Sequence, residues 1–178
     1  MSQCAIRQLV VGVTLMQSIT ATALDELPVA YVVVAKATNV PADILYAVAL
    51  AESGRSYQGE LLPWPWTLNI EGRSIFCESQ GEAIVLATEA INREQLVDVG
   101  LTQVNWRWHQ QRFTRVDDAL VPMLNLKAGA TILREQYELS GDWWQAVGRY
   151  HDPGQDEESL VSAEHYRQRV KRLWRGAF

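Results

Sequence analysis

The feature that most restricts what this sequence can fold into is a single acidic residue at the end of an apolar helix. Across residues 40–54, VPADILYAVALAESG, Ile44, Val48 and Ala51 recur at helical spacing, with Leu45 and Ala49 beside them. That spacing predicts a helix with one buried face. Pro41 suits the first helical position, where its missing N–H has no partner to lose. Asp43 puts negative charge in the first turn, where the helix dipole favours it, and Gly54 predicts a left-handed cap. Glu52 follows Val48 by four residues and Ile44 by eight, so it projects from the buried face in the last turn. Lost hydration and the negative end of the dipole both raise the pKa of such a carboxyl. A carboxylic acid that keeps its proton near neutral pH can serve as a general acid. On this segment alone, a solvated glutamate at a fraying helix end is the simpler account; the other segments decide between the two.

The N-terminus has a different character. Arg7 precedes a short apolar run, LVVGVTLM at residues 9–16, and Ala21-Thr22-Ala23 forms a small-x-small site. This pattern predicts a secretory signal peptide over residues 1–23. The apolar run is too short to span a bilayer, so no transmembrane segment is expected after cleavage. A first core helix would accommodate Gly12, Thr14 and Ser18 poorly. The remaining residues, 24–178, show no linker, repeat or low-complexity stretch, and one domain is expected to fill them. A net charge of −5 for 178 residues argues against a nucleic-acid partner. Cys4 lies ahead of the apolar run, so Cys77 alone would remain, without an internal disulfide partner. His109, His151 and His165 lack ligand spacing, so neither a metal nor another cofactor is expected.

The mature part reads as mainly helical. An apolar stretch at 27–37 predicts a short helix. Pro63 and Pro65 interrupt regularity in LLPWPW, and residues 67–70 and 73–77 flank Glu71-Gly72 as a small β-hairpin. Trp64 and Trp66 either plug the hairpin or offer platforms for sugar rings. Ser79, with Glu82 three residues on, predicts a capped helix to Asn92, with Ile84, Ala87, Thr88 and Ile91 recurring on one face. Glu78, Glu82 and Glu89 are expected in solvent. Residues 99–105, VGLTQVN, have no period; Gly100 marks a turn, and Gln103 and Asn105 either close it or point into a cleft. The longest helical pattern, 122–137, buries Met123, Leu126, Ala130, Leu133 and Tyr137, and Gly129 predicts close contact with another helix. Asp142 caps a helix carrying Trp143, Val147 and Tyr150, which Asp152-Pro153-Gly154 ends. A last helix over 157–174 carries Leu160, Ala163, Val170, Leu173 and Trp174, with acids early and bases late to suit its dipole.

Four of these segments together resemble the soluble-lytic-transglycosylase-like domain of the lysozyme superfamily. ALAESG at residues 49–54 resembles its catalytic Glu-Ser, GLTQVN at 100–105 its Gly-Leu-Met-Gln-Ile/Val-Asn motif, NLKAGATILREQY at 125–137 its Asn-Leu-x-x-Gly helix, and AVGRYH at 146–151 its Ala-x-x-x-Tyr-Asn segment. The resemblance implies a mainly α, lysozyme-like α+β domain with a small hairpin and a substrate cleft. It implies cleavage of the MurNAc–GlcNAc β-1,4 bond of peptidoglycan strands with a 1,6-anhydro product, and hence action in the periplasm. Glu52 would be the catalytic acid and base, and Ser53, Gln103, Asn105 and Tyr150 would contact substrate or steady the acid. Thr102 stands where the family has Met, at a cleft wall, and His151 where it has Asn. The PWPWTLN stretch is similar to transglycosylases found with conjugation and type IV secretion systems, which implies such machinery as a partner. The other outcomes open at this point are a hydrolytic muramidase, with Asp98 as a second acid although a solvated turn also suits it, and a non-catalytic wall-binding component.

Overall fold

The computed structural model describes residues 27–178; the expected signal peptide and the start of the domain at residue 24 lie outside them. The described chain is mainly helical, with eight α-helices and six short strands. At its centre is α2 (Ala42–Ser53), which buries Ile44, Leu45, Ala47, Val48, Ala49, Leu50, Ala51 and Ser53. A helix apolar on every side has to be enclosed by other elements. Four do this: α1 (Val29–Thr38), α6 (Pro122–Ser140), α7 (Trp143–His151) and α8 (Glu157–Ala177). Tyr31 and Val34, Leu126 and Leu133, Ala146 and Val147, and Tyr166 and Val170 close around α2 in one core.

Local chemistry sets the ends of these helices. Asn39 terminates α1 at φ 53° and Gly141 terminates α6 at φ 69°, the left-handed conformation that both residue types tolerate. Asp142 Oδ1 accepts the Gln145 N–H at 2.8 Å, and Asp156 Oδ1 accepts the Ser159 N–H at 3.0 Å, capping α7 and α8.

The second lobe is a four-stranded antiparallel sheet in the order β4 (Arg73–Phe76), β3 (Thr67–Ile70), β5 (Val97–Val99), β6 (Val104–Asn105). Glu71 and Gly72, at φ 51° and 80°, make the turn between β3 and β4 with the handedness a two-residue hairpin prefers. One face of the sheet is apolar: Leu68 pairs with Val99, and Ile70 with Val97. It packs on Ala83, Ala87 and Ala90 of α3 (Gln80–Asn92) and on Ala119 of α5 (Val116–Ala119), forming a second core. The α3 cap forms at Ser79, whose Oγ accepts the Glu82 N–H at 3.2 Å, while Glu82 reaches back to the Glu78 N–H at 2.8 Å.

Asn125 of α6 joins the two lobes. Its buried amide donates to Val99 O and Ala119 O, each at 2.9 Å, and accepts from the Thr102 N–H at 2.9 Å and hydroxyl at 2.8 Å.

Several expectations are corrected. Pro41 is the N-cap of α2 rather than its first helical residue, and Gly54 has φ −59°, with no left-handed cap. The chain instead runs straight into β1 (Gly54–Tyr57), which pairs with β2 (Glu60–Pro63). Glycine is required at 54 because a Cβ would lie 2.4 Å from Leu50 O and 3.1 Å from the Leu61 side chain. LLPWPW is therefore partly strand, and Pro63 sits at the end of that edge strand, a position where proline is tolerated. The expected small hairpin is one half of a larger sheet. Met123, expected in the core, is exposed. Gly129 abuts a turn instead of a helix: a Cβ there would lie 2.4 Å from Thr102 Oγ1.

Candidate active site

Glu52 lies in the last turn of α2, where the helix meets α8, and part of its surface stays accessible. Tyr166 of α8 donates its hydroxyl to Glu52 Oε1 at 2.5 Å. One turn on, Arg169 donates to Ala51 O at 2.5 Å, which occupies a carbonyl at the open end of α2. Burial is the largest influence on Glu52 and raises its pKa to about 7. The Tyr166 hydrogen bond and the Arg169 charge pull it down, while the Asp98 charge pushes it up. The group is therefore poised between acid and carboxylate at neutral pH, where one side chain can both give and take a proton.

The sheet brings a second carboxylate, Asp98, near enough for its charge to act on Glu52. On the face turned away from α3, Asn69, Asp98 and Asn105 stand opposite one another across β3, β5 and β6. Asp98 accepts from the Asn105 amide at 2.7 Å. Burial raises its pKa, and the Asn105 hydrogen bond opposes the rise. Asp98 is thus part of a strand and half-buried, not a solvated turn residue. The buried Asn69 Oδ1 has no hydrogen-bond partner among the described residues.

The polar groups of the other sequence-predicted residues are engaged in different ways. Ser53 is fully buried and donates to Leu101 O at 2.7 Å and Ala49 O at 3.1 Å. It fastens the end of α2 to the turn at 100–103. Gln103, at φ 45°, uses its amide N–H groups on Thr67 O at 3.0 Å and Gly100 O at 2.9 Å. Asn105 orients Asp98 and also accepts the Trp108 N–H at 3.3 Å, capping α4 (Trp106–His109). Tyr150 donates to Thr102 O at 2.6 Å. Burial first, and the Glu52 charge second, keep its hydroxyl protonated far above the usual tyrosine range. Its hydroxyl thus braces the turn, and the phenol in contact with Glu52 is that of Tyr166. Thr102 does not form a cleft wall: it is buried against Asn125. His151 is exposed and lies flat on Tyr166, with centroids 4.5 Å apart and planes 4° from parallel. Trp66 packs into the second core, while Trp64 donates to Cys77 O at 2.7 Å and lies under the Arg55 guanidinium at 4.6 Å.

Sequence reasoning missed Tyr166 and Arg169. Tyr166 sits three residues after Ala163 and four before Val170, so the apolar stripe of the last helix does include it. Its partner in α2 is 114 residues away, and no local pattern reports that contact.

A family model described as the transglycosylase SLT domain matches residues 77–167. The matched span takes in the polar strands β5 and β6, the turn between them, α6, α7 and Tyr166; Glu52 lies upstream of it and reaches the site through α2. No curated protein and no solved structure matches the chain significantly.

Proposed function

The chain belongs to the transglycosylase SLT domain family, and from that premise we propose that it is a peptidoglycan lytic transglycosylase with Glu52 as its catalytic acid and base. The observation that carries this reading is the state of Glu52: a partly accessible carboxyl raised to about 7 by burial, with one oxygen held by a tyrosine. Glu52 would protonate the glycosidic oxygen as the C1–O bond to the leaving sugar breaks. The resulting carboxylate then takes the proton of the C6 hydroxyl of the same MurNAc. That oxygen attacks C1 and closes the 1,6-anhydro ring. Because the nucleophile belongs to the substrate, proximity replaces the second carboxylate that most glycosidases need. Tyr166 holds Glu52 in place, and Asp98 and Asn105 would hydrogen-bond the saccharide beside it.

Mass spectrometry of muropeptides released from purified sacculi tests the reading. Anhydro ends are the expected product. Reducing ends would instead favour a hydrolytic muramidase, for which Asp98, close enough for its charge to raise Glu52, is the available second acid. Binding to sacculi with no release would favour a wall-binding component.

The same reading places the enzyme in the periplasm after loss of residues 1–23; N-terminal sequencing of the periplasmic protein should begin at or near Leu24. Among the described residues no single helix is long and apolar enough to cross a membrane. The resemblance of PWPWTLN to transglycosylases of conjugation and type IV secretion systems motivates a role in opening the wall locally for such an apparatus. Reduced transfer or secretion in a deletion strain, restored by wild type and not by Glu52→Gln, would support it.

A further inference from the structure

Tyr166, whose hydroxyl donates to Glu52, is only 5% exposed, although it lies on α8, a long helix whose buried residues are Tyr166 and Val170. Its ring belongs to the core around α2, and one of its faces is covered from another helix. His151, the last residue of α7, lies flat on the phenol, with centroids 4.5 Å apart and planes 4° from parallel. That is an offset stack, an arrangement in which aromatic faces attract. His151 itself is exposed, so the imidazole is a cover laid on the phenol from the solvent side.

The helix packing sets one ring on the other. α7 and α8 approach closely at Gly148, where a Cβ would lie 3.0 Å from Ala163 O. Three residues on in each helix stand His151 and Tyr166. A phenol turns about its first side-chain torsion between separate staggered positions, and only one of them can bring the hydroxyl to Glu52. With the core on one face and the imidazole on the other, Tyr166 cannot swing away from the acid without displacing His151. The charge at this point is small. Burial is the largest influence on the imidazole and lowers its pKa; Asp152 opposes the fall and Arg169 adds to it. The other titratable groups bordering the ring are Glu158, His165 and Arg172 of α8. At pH 7 the ring is therefore neutral, and what it presents to Tyr166 is a flat surface rather than a cation.

We propose that His151 is a positioning residue for Glu52: its imidazole face holds Tyr166 in the orientation from which the hydroxyl reaches the acid. The proposal rests on the transglycosylase reading for the reaction that Glu52 performs, and on geometry alone for the contact. The family that the sequence resembles has Asn at this position, and Asn has no ring to stack. A polar contact and a flat cover are thus two different uses of one position, and the parallel rings favour the cover.

The test uses the mature protein with His151 replaced by Ala, Phe or Asn, and circular dichroism checks that each variant folds. His151→Ala should lower kcat for release of muropeptides by about two- to ten-fold, the change in population that losing one aromatic stack allows, with KM unchanged. His151→Phe keeps a flat ring and has no polar atom, and it should restore most of the loss; His151→Asn should not. A second readout does not depend on turnover. The Glu52 carboxyl is followed by carbon NMR, its signal identified by its absence from Glu52→Gln. Its titration should move to higher pH in His151→Ala, the direction expected when the Tyr166 hydrogen bond is loosened, and return toward the wild-type position in His151→Phe. Rescue by Asn and not by Phe, a rise in KM with kcat unchanged, or a Glu52 titration that stays in place in His151→Ala would each overturn the proposal. Reducing ends in the products, with the rescue by Phe and the displaced titration both observed, would uphold the role of His151 and overturn the lyase reading instead.

Discussion

Glu52 and Tyr166 form a coupled pair whose chemistry can be tested by changing either residue. Gln at 52 keeps the shape of Glu and can still accept from Tyr166, but it can neither deliver nor receive the proton. Glu52→Gln should therefore lower anhydro-muropeptide release by about 10²–10⁴-fold or more, with the helical circular dichroism spectrum retained. The same substitution should change stability in a defined direction. Glu52 titrates near 4.5 when unfolded and at about 7 when folded, so between those values the folded protein binds more protons. Its favourable contribution is complete below about 4.5 and is lost as pH rises through about 7. Urea midpoints should thus show Glu52→Gln more stable than wild type at pH 8, and the two converging at pH 5; no convergence would mean that Glu52 is not desolvated. Cleavage by wild type should fall as pH rises above about 7, because the acid form is consumed. Tyr166 lowers the pKa of Glu52 by donating to its carboxylate. Tyr166→Phe should therefore move that basic limb to higher pH, a displacement that simple loss of packing would not produce.

The elements differ in how plainly the sequence announces them, and the difference follows from their physics. Each of the long helices has a stripe and an end signal, and α3, α6 and α7 begin within a residue of where Ser79, Pro122 and Asp142 place them. Strands β5 and β6 have three and two residues. That is too short for alternation to register, and only pairing with β3 makes them strands. The β1–β2 hairpin was hidden in the same way, since its turn uses Gln58 at φ 52° beside Gly59, a pair without the usual Asn or Asp. Glu52 was legible because a carboxylate interrupts an apolar stripe. The polar row of Asn69, Asp98 and Asn105 was not, because it depends on the register between three strands distant in sequence. Gly129 shows both limits at once: the need for a close approach could be read, but not what approaches. Gly129→Ala should push Thr102 away from α6 and cost about 1–3 kcal/mol of stability. Cleavage should fall with it, because the displaced turn carries Gln103 and the Leu101 carbonyl that holds Ser53. A near-wild-type melting temperature and rate would show that the turn can yield without disturbing the acid.

At the scale of the molecule, the proposed acid and the polar row belong to different lobes, each with its own core, and substrate would be gripped between them. Two cores joined by a flexible connection would be expected to unfold separately. Here the Asn125 amide is hydrogen-bonded to Val99 and Ala119 of the sheet lobe and to Thr102 of the turn at the active site, while its neighbour Leu126 sits in the core around α2. With the Ser53 and Tyr150 bonds to the same turn, this side chain makes the folding of each lobe a condition for the other. Wild type should give a single calorimetric transition whose van't Hoff and measured enthalpies agree. Asn125→Ala would strand two buried carbonyls and an N–H, at about 1–3 kcal/mol for each unpaired group, and should split that transition in two. The cleft would then persist only where both halves happen to be intact, so loss of cooperativity in the melt would be accompanied by a fall in the fraction of molecules able to bind glycan well below the temperature at which the helices disappear.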